Sequence, residues 1–463
     1  MKYLFTVIFS VLLIFNSQGQ GTDTLQFEVF LEWIQSYHPL ARQADIQLRL
    51  GDMQVRTARG GFDPLLYGNL DKKDYKETLY YDKREAGLSI PTWAGIELNG
   101  TFEQNSGYYL NPESTVPNGG LFAAGASVNV GQGLIMDERR AALRQAQIYQ
   151  DATQVERQKM LNELYLKGFE AYWNWSLTYA NLQAIQEAVE LTQFRYEGII
   201  KSFEQGDVAA IDTVEAYTQL LNRQYRLENA QNQFFAAGQI LNSFLWNEEE
   251  EPMILDPLLI PSDLSEEIDH IVDPEELRNA VGAHPDLQLV NYEIAGLEID
   301  KKLKGQSILP VVKLKYNFLV ESMDGFEQSQ FFENNYKFGV SVYTPLLWRK
   351  ARGSLGMTKA KIDIKENSRE LKELQLRTKL ESEINNLKTI GNQVSIYDTN
   401  VESLERLLAG EMRKFEIGES SLFLVNAREV SVFDSRLTLN ELLAKYQIAI
   451  AKTRVAAGLG FQN

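Results

Sequence analysis

The residues able to do chemistry are few in this chain, and their spacing argues against a reaction. There is no cysteine and there are three histidines, His38, His270 and His284. Disulfides, thiolate metal sites and catalytic thiols are therefore excluded together. No histidine has a second ligand at helical spacing, so neither a metal nor a cofactor is expected. His38-Pro39 and His284-Pro285 read instead as the heads of helices, because proline fits the first helical position. Carboxylates are plentiful, at 63 Asp and Glu, but they lie on polar helix faces where charge is ordinarily only solvation. With no nucleophile, acid pair or metal cluster to assemble, an enzyme is not expected. What stands out is conformational: two glycine turns, Phe203-Glu-Gln-Gly206 and Phe415-Glu-Ile-Gly418, where glycine can take a positive φ without strain.

Those turns belong to a duplication. His38-Pro39 with Pro64, and His284-Pro285 with Pro310, lie 246 residues apart (284 − 38 and 310 − 64). Gly125-Ala-Ser-Val128 matches Gly339-Val-Ser-Val342, and Leu143 to Ile148 matches Met357 to Ile362, at an offset of 214 (339 − 125). The glycine turns match at 212 (415 − 203). Three collinear blocks point to two copies of one unit of about 215 residues, far longer than a solenoid repeat. Copies of that size are expected side by side around an axis. The divisions read as 1–19, 20–246 for the first copy, 247–277 for a connector and 278–463 for the second copy.

Residues 1–19 read as a secretory signal peptide: Lys2, an apolar run from Tyr3 to Phe15, and small residues Ser17 and Gly19 before the cut. The run is shorter than the roughly 20 residues of a spanning helix, and no later window is apolar enough to cross a membrane. The formal charge of −17 makes the chain a poor partner for nucleic acid, whose phosphates need clustered Lys and Arg.

Leu134 to Ser202 and Arg349 to Lys414 contain no proline, and each stretch could form a helix of roughly 100 Å. In the second, Leu380, Leu387, Val394, Val401 and Leu408 recur every seven residues, with Ile390, Tyr397 and Leu404 three places on. The first carries the same phase in Trp175, Leu182, Val189 and Tyr196, with Ile185 and Ile199. An a/d stripe of strict seven-residue period is the seam of a left-handed coiled coil. Shorter return helices are expected near Ile211 to Trp246 and Leu422 to Gly458, with the helices that end at Gly60 and near Lys304 stacked on them to match the long ones. The proline-rich acidic connector is expected to be partly ordered, because Met253-Ile-Leu255 and Leu258-Leu-Ile260 would otherwise expose apolar runs.

Between the helices lie strands. Val312, Leu314, Tyr316, Phe318 and Val320 alternate with Lys313, Lys315 and Asn317, and Tyr336, Phe338, Val340 and Val342 alternate with Lys337, Gly339 and Ser341. In the first copy Ile96, Leu98, Gly100 and Phe102 form one such face, and Phe122, Ala124, Ala126, Val128 and Val130 another. One apolar and one polar face suits a transmembrane barrel as well as a soluble sandwich; aromatics near the strand ends, Tyr108, Tyr109, Phe331, Phe332 and Tyr336, favour the membrane. Two strands from one copy and two to four from the other cannot close a barrel that needs about eight, so a barrel would have to be shared between chains.

At this point the chain resembles the TolC-type outer-membrane efflux proteins over nearly its whole length. The resemblance rests on the duplication, on Pro64 and Pro310, on Arg139-Arg140 to Ala146 and Trp348-Arg-Lys-Ala-Arg-Gly353, and above all on Gly206-Asp-Val-Ala-Ala-Ile-Asp212 and Gly418-Glu-Ser-Ser-Leu422. It implies an α+β, mostly helical fold: a homotrimer sharing one transmembrane β-barrel among outer-membrane lipids, with a long periplasmic coiled-coil barrel below. It further implies a passive exit duct in the outer membrane of a Gram-negative bacterium, engaged by a periplasmic adaptor and an inner-membrane pump. A soluble periplasmic coiled-coil scaffold without a channel is the competing reading, separable by whether detergent is needed for extraction.

By the same resemblance, adaptor docking falls on Gly206, Asp207, Val208, Ala209, Gly418, Glu419, Ser420, Ser421 and Leu422. The family's polar gate links are only partly present: Asp212 matches its aspartate, but Phe415 replaces a tyrosine and Ser420 an arginine, while Leu424 stands at a constricting acidic position. The entrance is therefore expected to close by apolar packing of Phe203, Phe415 and Leu424. The first copy spans 61 residues from Pro64 to Gly125 against 29 in the second (125 − 64 and 339 − 310). This surplus, around Gly87 to Phe102, is expected to be a hairpin outside the barrel, leaving four strands per protomer rather than six.

Overall fold

Pro39 and Pro285 each open a helix, as their fixed φ favours at the first helical position. In the computed structural model, which describes residues 24–265, 273–321 and 335–461, the chain begins with β1 (Thr24–Leu25), α1 (Phe27–Tyr37) and α2 (Pro39–Arg59). Four strands follow, β2 (Leu65–Tyr75), β3 (Thr78–Pro91), β4 (Ile96–Ser106) and β5 (Leu121–Asn129), then α3 (Glu138–Gln205) and α4 (Ala210–Asn242). After β6 (Ile260–Pro261) and α5 (Pro274–Ala280), the second copy runs through α6 (Pro285–Gln306), β7 (Val311–Val320), β8 (Tyr336–Tyr343), α7 (Arg349–Glu416) and α8 (Leu422–Ala456). The signal peptide, His270, Phe331 and Phe332 lie outside the described residues.

The two halves of the chain carry elements of matching length. α3 and α7 are each 68 residues, and α4 and α8 are 33 and 35. The seven-residue stripe is what α7 buries: Leu380, Ile390 and Val401 are buried and Leu387, Val394, Tyr397, Leu404 and Leu408 half-buried, whereas Asn386, Asn392 and Glu402 between them are exposed. Among the described residues no helix is long and apolar enough to cross a membrane.

The chain divides into two compact units. One gathers the described residues among 1–38, 167–269 and 390–448, the other those among 39–166, 270–389 and 449–463. The first unit is centred on aromatic packing between α1 and α3. Phe27 lies 4.3 Å from Phe169 and 5.1 Å from Tyr172, ring centre to ring centre, and 5.7 Å from Trp173. His38, just before Pro39, is buried here and stacks on Phe244 at 5.8 Å. The connector is ordered through its backbone: Met253 N–H donates to the Leu245 carbonyl at 2.9 Å, Ser262 N–H to the Tyr172 hydroxyl at 3.0 Å, and Gln447 donates to the Leu264 carbonyl at 3.2 Å. Leu264 is buried, but Ile254 and Leu258 remain exposed, so apolar burial alone does not hold this segment.

In the second unit, Leu277 and Val281 pack with Leu287 of α6, Leu376 and Leu380 of α7, and Ala456 and Ala457. His284 caps α6, its Nδ1 accepting the Asp286 N–H at 3.1 Å. The Asp286 carboxylate then holds Lys159 and Lys372, each at 2.9 Å. Burial by itself would raise this carboxyl, but the two ammonium groups outweigh it and lower its pKa to about 2. A carboxyl depressed on folding stabilises the fold above its unfolded value and loses that contribution as pH falls from about 4 to 2. The linkage amounts to about 2 kcal/mol. Acid unfolding of Asp286→Asn is therefore expected to begin from a lower stability at neutral pH and to show a flatter pH dependence across that window, read by thermal melts at pH 7, 4 and 2.5.

The same unit contains a single six-stranded antiparallel sheet in the order β2-β3-β4-β5-β7-β8. This overturns the expected four strands. The surplus segment is not an excursion: β3 pairs with β4 from Asp82↔Ser106 to Pro91↔Glu97 and with β2 from Leu65↔Ser89 to Tyr75↔Thr78. Backbone donors and acceptors of strands this long need partners, and β2 supplies them for β3. The ladder keeps the two faces separate. Phe338, Tyr316, Ala126, Leu98 and Ile90 follow one another across five strands on one face, and Lys337, Asn317, Gly125, Asn99 and Ser89 on the other. On the polar face Asn99 reaches past Gly125 to Asn317 at 3.0 Å. A Cβ on Gly125 would stand 1.9 Å from the Tyr316 carbonyl oxygen, which is why the first copy keeps glycine there.

Candidate functional site

The two glycine turns have one geometry. At the end of α3, Gly206 takes φ +83°; its N–H donates to the Phe203 carbonyl at 3.0 Å and the Asp207 N–H to the Ser202 carbonyl at 2.9 Å. At the end of α7, Gly418 takes φ +77°, with the Gly418 N–H on Phe415 at 3.0 Å and the Glu419 N–H on Lys414 at 2.8 Å. Both are Schellman caps, which satisfy the orphan carbonyls of the last turn and place glycine in the left-handed region.

The restarts differ. Asp212 sits three residues into α4 and its carboxylate accepts the Ala209 N–H at 3.1 Å, holding the helix start where negative charge is favoured. Ala209 has no side-chain acceptor to complete the box. In α8 the Ser421 hydroxyl accepts the Leu424 N–H at 3.4 Å, and the Ser420 hydroxyl donates to Glu411.

Of the thirteen residues singled out from the sequence, three meet in one apolar contact. Leu422 is buried with Ile199 and Ala216, and Val208 and Phe415 pack against them with Tyr196. Gly206, Asp207, Ala209, Gly418, Glu419 and Ser421 are exposed and Ser420 half-buried. Phe203 and Leu424 stay exposed at 44% and 41%, beside Ile211, Val214, Ile417 and Phe423, also exposed. Within one chain the turns therefore present apolar side chains on a frame of capped backbone.

A polar cluster behind the turns escaped sequence reasoning. Arg195 of α3 makes a two-pronged ion pair with Glu429 of α8, at 2.6 and 3.1 Å, with both side chains largely buried. Asn426, one turn earlier, accepts from Arg195 at 3.4 Å and donates to Glu215 of α4 at 3.0 Å. Arg223 is buried over the Phe433 ring at 4.1 Å; burial lowers its pKa, opposed first by the charge of Glu429. Arg226 pairs with Asp434 at 2.8 Å. Three helices are joined here around one central carboxylate. The only trace in the sequence is the three-residue spacing of Asn426 and Glu429, which places both on one face of α8. Further along, Ala188, Leu191, Leu408, Met412 and Val432 line a groove of about 410 Å³ between α3, α7 and α8.

No family model matches the sequence, and no curated protein does. Solved structures do match. The outer-membrane channel OprN aligns with a TM-score of 0.68 at 14% identity, covering 94% of this chain and 90% of that one. The CmeC outer membrane channel of Campylobacter jejuni gives 0.64 at 15%, covering 94% and 86%, and the outer membrane protein VceC of Vibrio cholerae gives 0.65 at 14%, covering 94% and 96%. This chain has the outer-membrane channel fold. It is α+β and mostly helical, and the alignment with these channels takes in both copies of the duplicated unit. At this identity the shared property is the fold, and two of these neighbours, OprN and CmeC, are outer-membrane channels.

Proposed function

We propose that this chain is the outer-membrane exit duct of a tripartite efflux or type I secretion system, a passive channel without an active site. One observation carries the reading: a six-stranded antiparallel sheet in which an apolar ladder crosses five strands on one face and a ladder of Lys, Asn, Gly and Ser crosses them on the other. Such a sheet suits lipid on one side and a water-filled lumen on the other. A homotrimer sharing one barrel, located in the outer membrane of a Gram-negative bacterium with its helices in the periplasm, accounts for the sheet and the paired 68-residue helices together. Fractionation tests it: the protein should leave the outer membrane only with detergent and give stable conductance in a planar bilayer, whereas release by salt as a soluble protein would leave the scaffold reading.

The capped turns are the docking surface for a periplasmic adaptor that links the duct to an inner-membrane pump. Exposed Ile211, Val214, Ile417 and Phe423 supply apolar anchors around Gly206 to Ala209 and Gly418 to Leu422. In the trimer, Phe203, Phe415 and Leu424 seal the entrance, and Asp212 acts through the start of α4. Leu424→Asp is expected to place three carboxylates at the entrance, with increased cation conductance and block by multivalent cations in single-channel recordings. An unchanged conductance and no block would remove Leu424 from the seal.

A further inference from the structure

The sheet has two unlike ends. α2 leads into β2 at Leu65, and β5 leads toward α3 from Asn129, so the loop between β4 and β5, Gly107 to Gly120, lies at the end away from the helices. We propose that this loop is a strap folded across the lumen side of the sheet, which gives the duct a second narrow point at its outer mouth, lined by Tyr108 and Tyr109, where planar aromatic and cationic solutes are retarded. The inference rests on the channel reading above and adds a specificity element at the exit.

The strap's own contacts fix its place. Lys83 and Asn105 face each other across β3 and β4, six residues from Ser89 and from Asn99 and therefore on the same polar face. Both hold Ser114: the Asn105 amide donates to its carbonyl at 2.8 Å, and the Lys83 ammonium to its hydroxyl at 3.3 Å. Ser114 closes a single 3-10 turn, Pro112–Ser114. The loop leaves β4 as a continuation of the ladder, with the Tyr108 N–H on the Leu79 carbonyl at 2.9 Å and the Tyr109 N–H on the Tyr80 carbonyl at 3.0 Å. It then turns back over the polar face to reach Ser114. Glycine is required at both ends: Gly107 takes φ +134°, where a Cβ would stand 2.5 Å from the Tyr81 Cα, and Gly120 takes φ +92°, where a Cβ would meet the Phe102 ring at 2.4 Å. All of these contacts lie within one chain, so none depends on what a neighbouring copy covers. Compact loops of this length with their ends held are frequently functional.

The lumen side of the strap is aromatic. Lys73, opposite Tyr81 on the polar face, holds its ammonium 4.6 Å from the centre of the Tyr80 ring. Tyr109 packs on Tyr80 at 4.7 Å and Tyr108 on Tyr109 at 4.8 Å, ring centre to ring centre. The stack therefore starts beside a lysine of the lumen face and runs out into the loop. Tyr108 is 80% exposed and Tyr109 56%, which leaves ring surface for a passing solute. Tyrosine faces attract cations and stack on flat rings. Lys83 near the Tyr81 ring, at 5.6 Å, repeats within the chain the contact that Lys73 makes. A constriction and the groups that line it set what a pore passes easily.

The chain contains no cysteine, so one introduced thiol reports on the strap alone. Full-length Tyr108→Cys, reconstituted in a planar bilayer, is treated with a charged methanethiosulfonate. The expected result is a stepwise fall in single-channel current that reductant reverses and the wild type does not show. A thiol that resists the reagent, or complete labelling by mass spectrometry with unchanged current, places the strap outside the lumen and overturns the proposal. In a second arm ethidium is added at the barrel end. It should block the wild-type channel reversibly, and Tyr108→Ala combined with Tyr109→Ala should weaken that block by about fivefold while raising the conductance. No block of the wild type, or an equal block in both proteins, overturns the retarding role of the two rings. A wild-type protein that forms no channel defeats the channel reading itself, an outcome seen before any variant is made.

Discussion

Replacing Glu429 by alanine should loosen the start of α8 more than any change at the turns themselves. Glu429 is the carboxylate around which Arg195, Arg223 and Asn426 gather, and it lies largely out of water. Removing it leaves the Arg195 and Arg223 guanidinium groups without that carboxylate, close to Arg226, whose own partner is Asp434. Breaking a buried pair on one side costs about 3–5 kcal/mol, because the surviving charge stays desolvated. The expected result is much faster hydrogen exchange over 422–434 and 210–226, with the sheet unchanged. Glu429→Gln keeps an acceptor for Arg195 and should fall between alanine and the wild type. Exchange indistinguishable from wild type in Glu429→Ala would show that Arg195 and Arg223 find solvent or other partners without cost, and that the cluster does not hold α3, α4 and α8 together.

Trp173→Ala should be the most damaging single change in the helical core. The side chain is fully buried, with Tyr172 at 5.3 Å and Phe27 at 5.7 Å, ring centre to ring centre. A tryptophan truncated in a packed core costs about 3–5 kcal/mol through lost burial and the cavity left behind. Because Phe27 belongs to α1 and Trp173 to α3, the loss should first free α1. Limited proteolysis is expected to cut near residues 27–38 many times faster, and Trp173→Phe should recover much of the protection. Equal cleavage rates for all three proteins would mean that α1 is held by other contacts, such as Phe30 with Tyr172 at 5.4 Å.

Much of the fold could be read locally. A seven-residue apolar period forces a buried stripe on one helix face whatever lies opposite, and Leu380, Ile390 and Val401 are buried as that period requires. Proline and glycine punctuate the backbone by their own φ preferences, so Pro39, Pro285, Gly206 and Gly418 mark where helices begin and end. The strand count is not legible in the sequence, because an alternating segment such as Ile96 to Phe102 looks the same at the edge of a sheet, in its middle or outside it. Only its neighbours decide, and β3 and β5 flank it on both sides. The sequence places Asp212 in the turn, but that its carboxylate holds the Ala209 N–H, a bond between residues three apart, depends on the turn conformation.

What the sequence determined by itself is the set of features whose cause is local or repeated: the duplicated unit, the two long helices with their seams, the glycine caps and the two-faced strands. What only the tertiary structure decided is which distant groups meet. Arg195 and Glu429 are 234 residues apart, Arg195 and Asn426 are 231, and Asn99 and Asn317 are 218. No periodicity predicts such pairs, because an arginine or asparagine on a helix or strand face reads the same whether it points to water or to a partner. Burial makes the difference: once packing removes water from Arg195, its charge must be answered by Glu429, and that requirement exists only after the helices have come together.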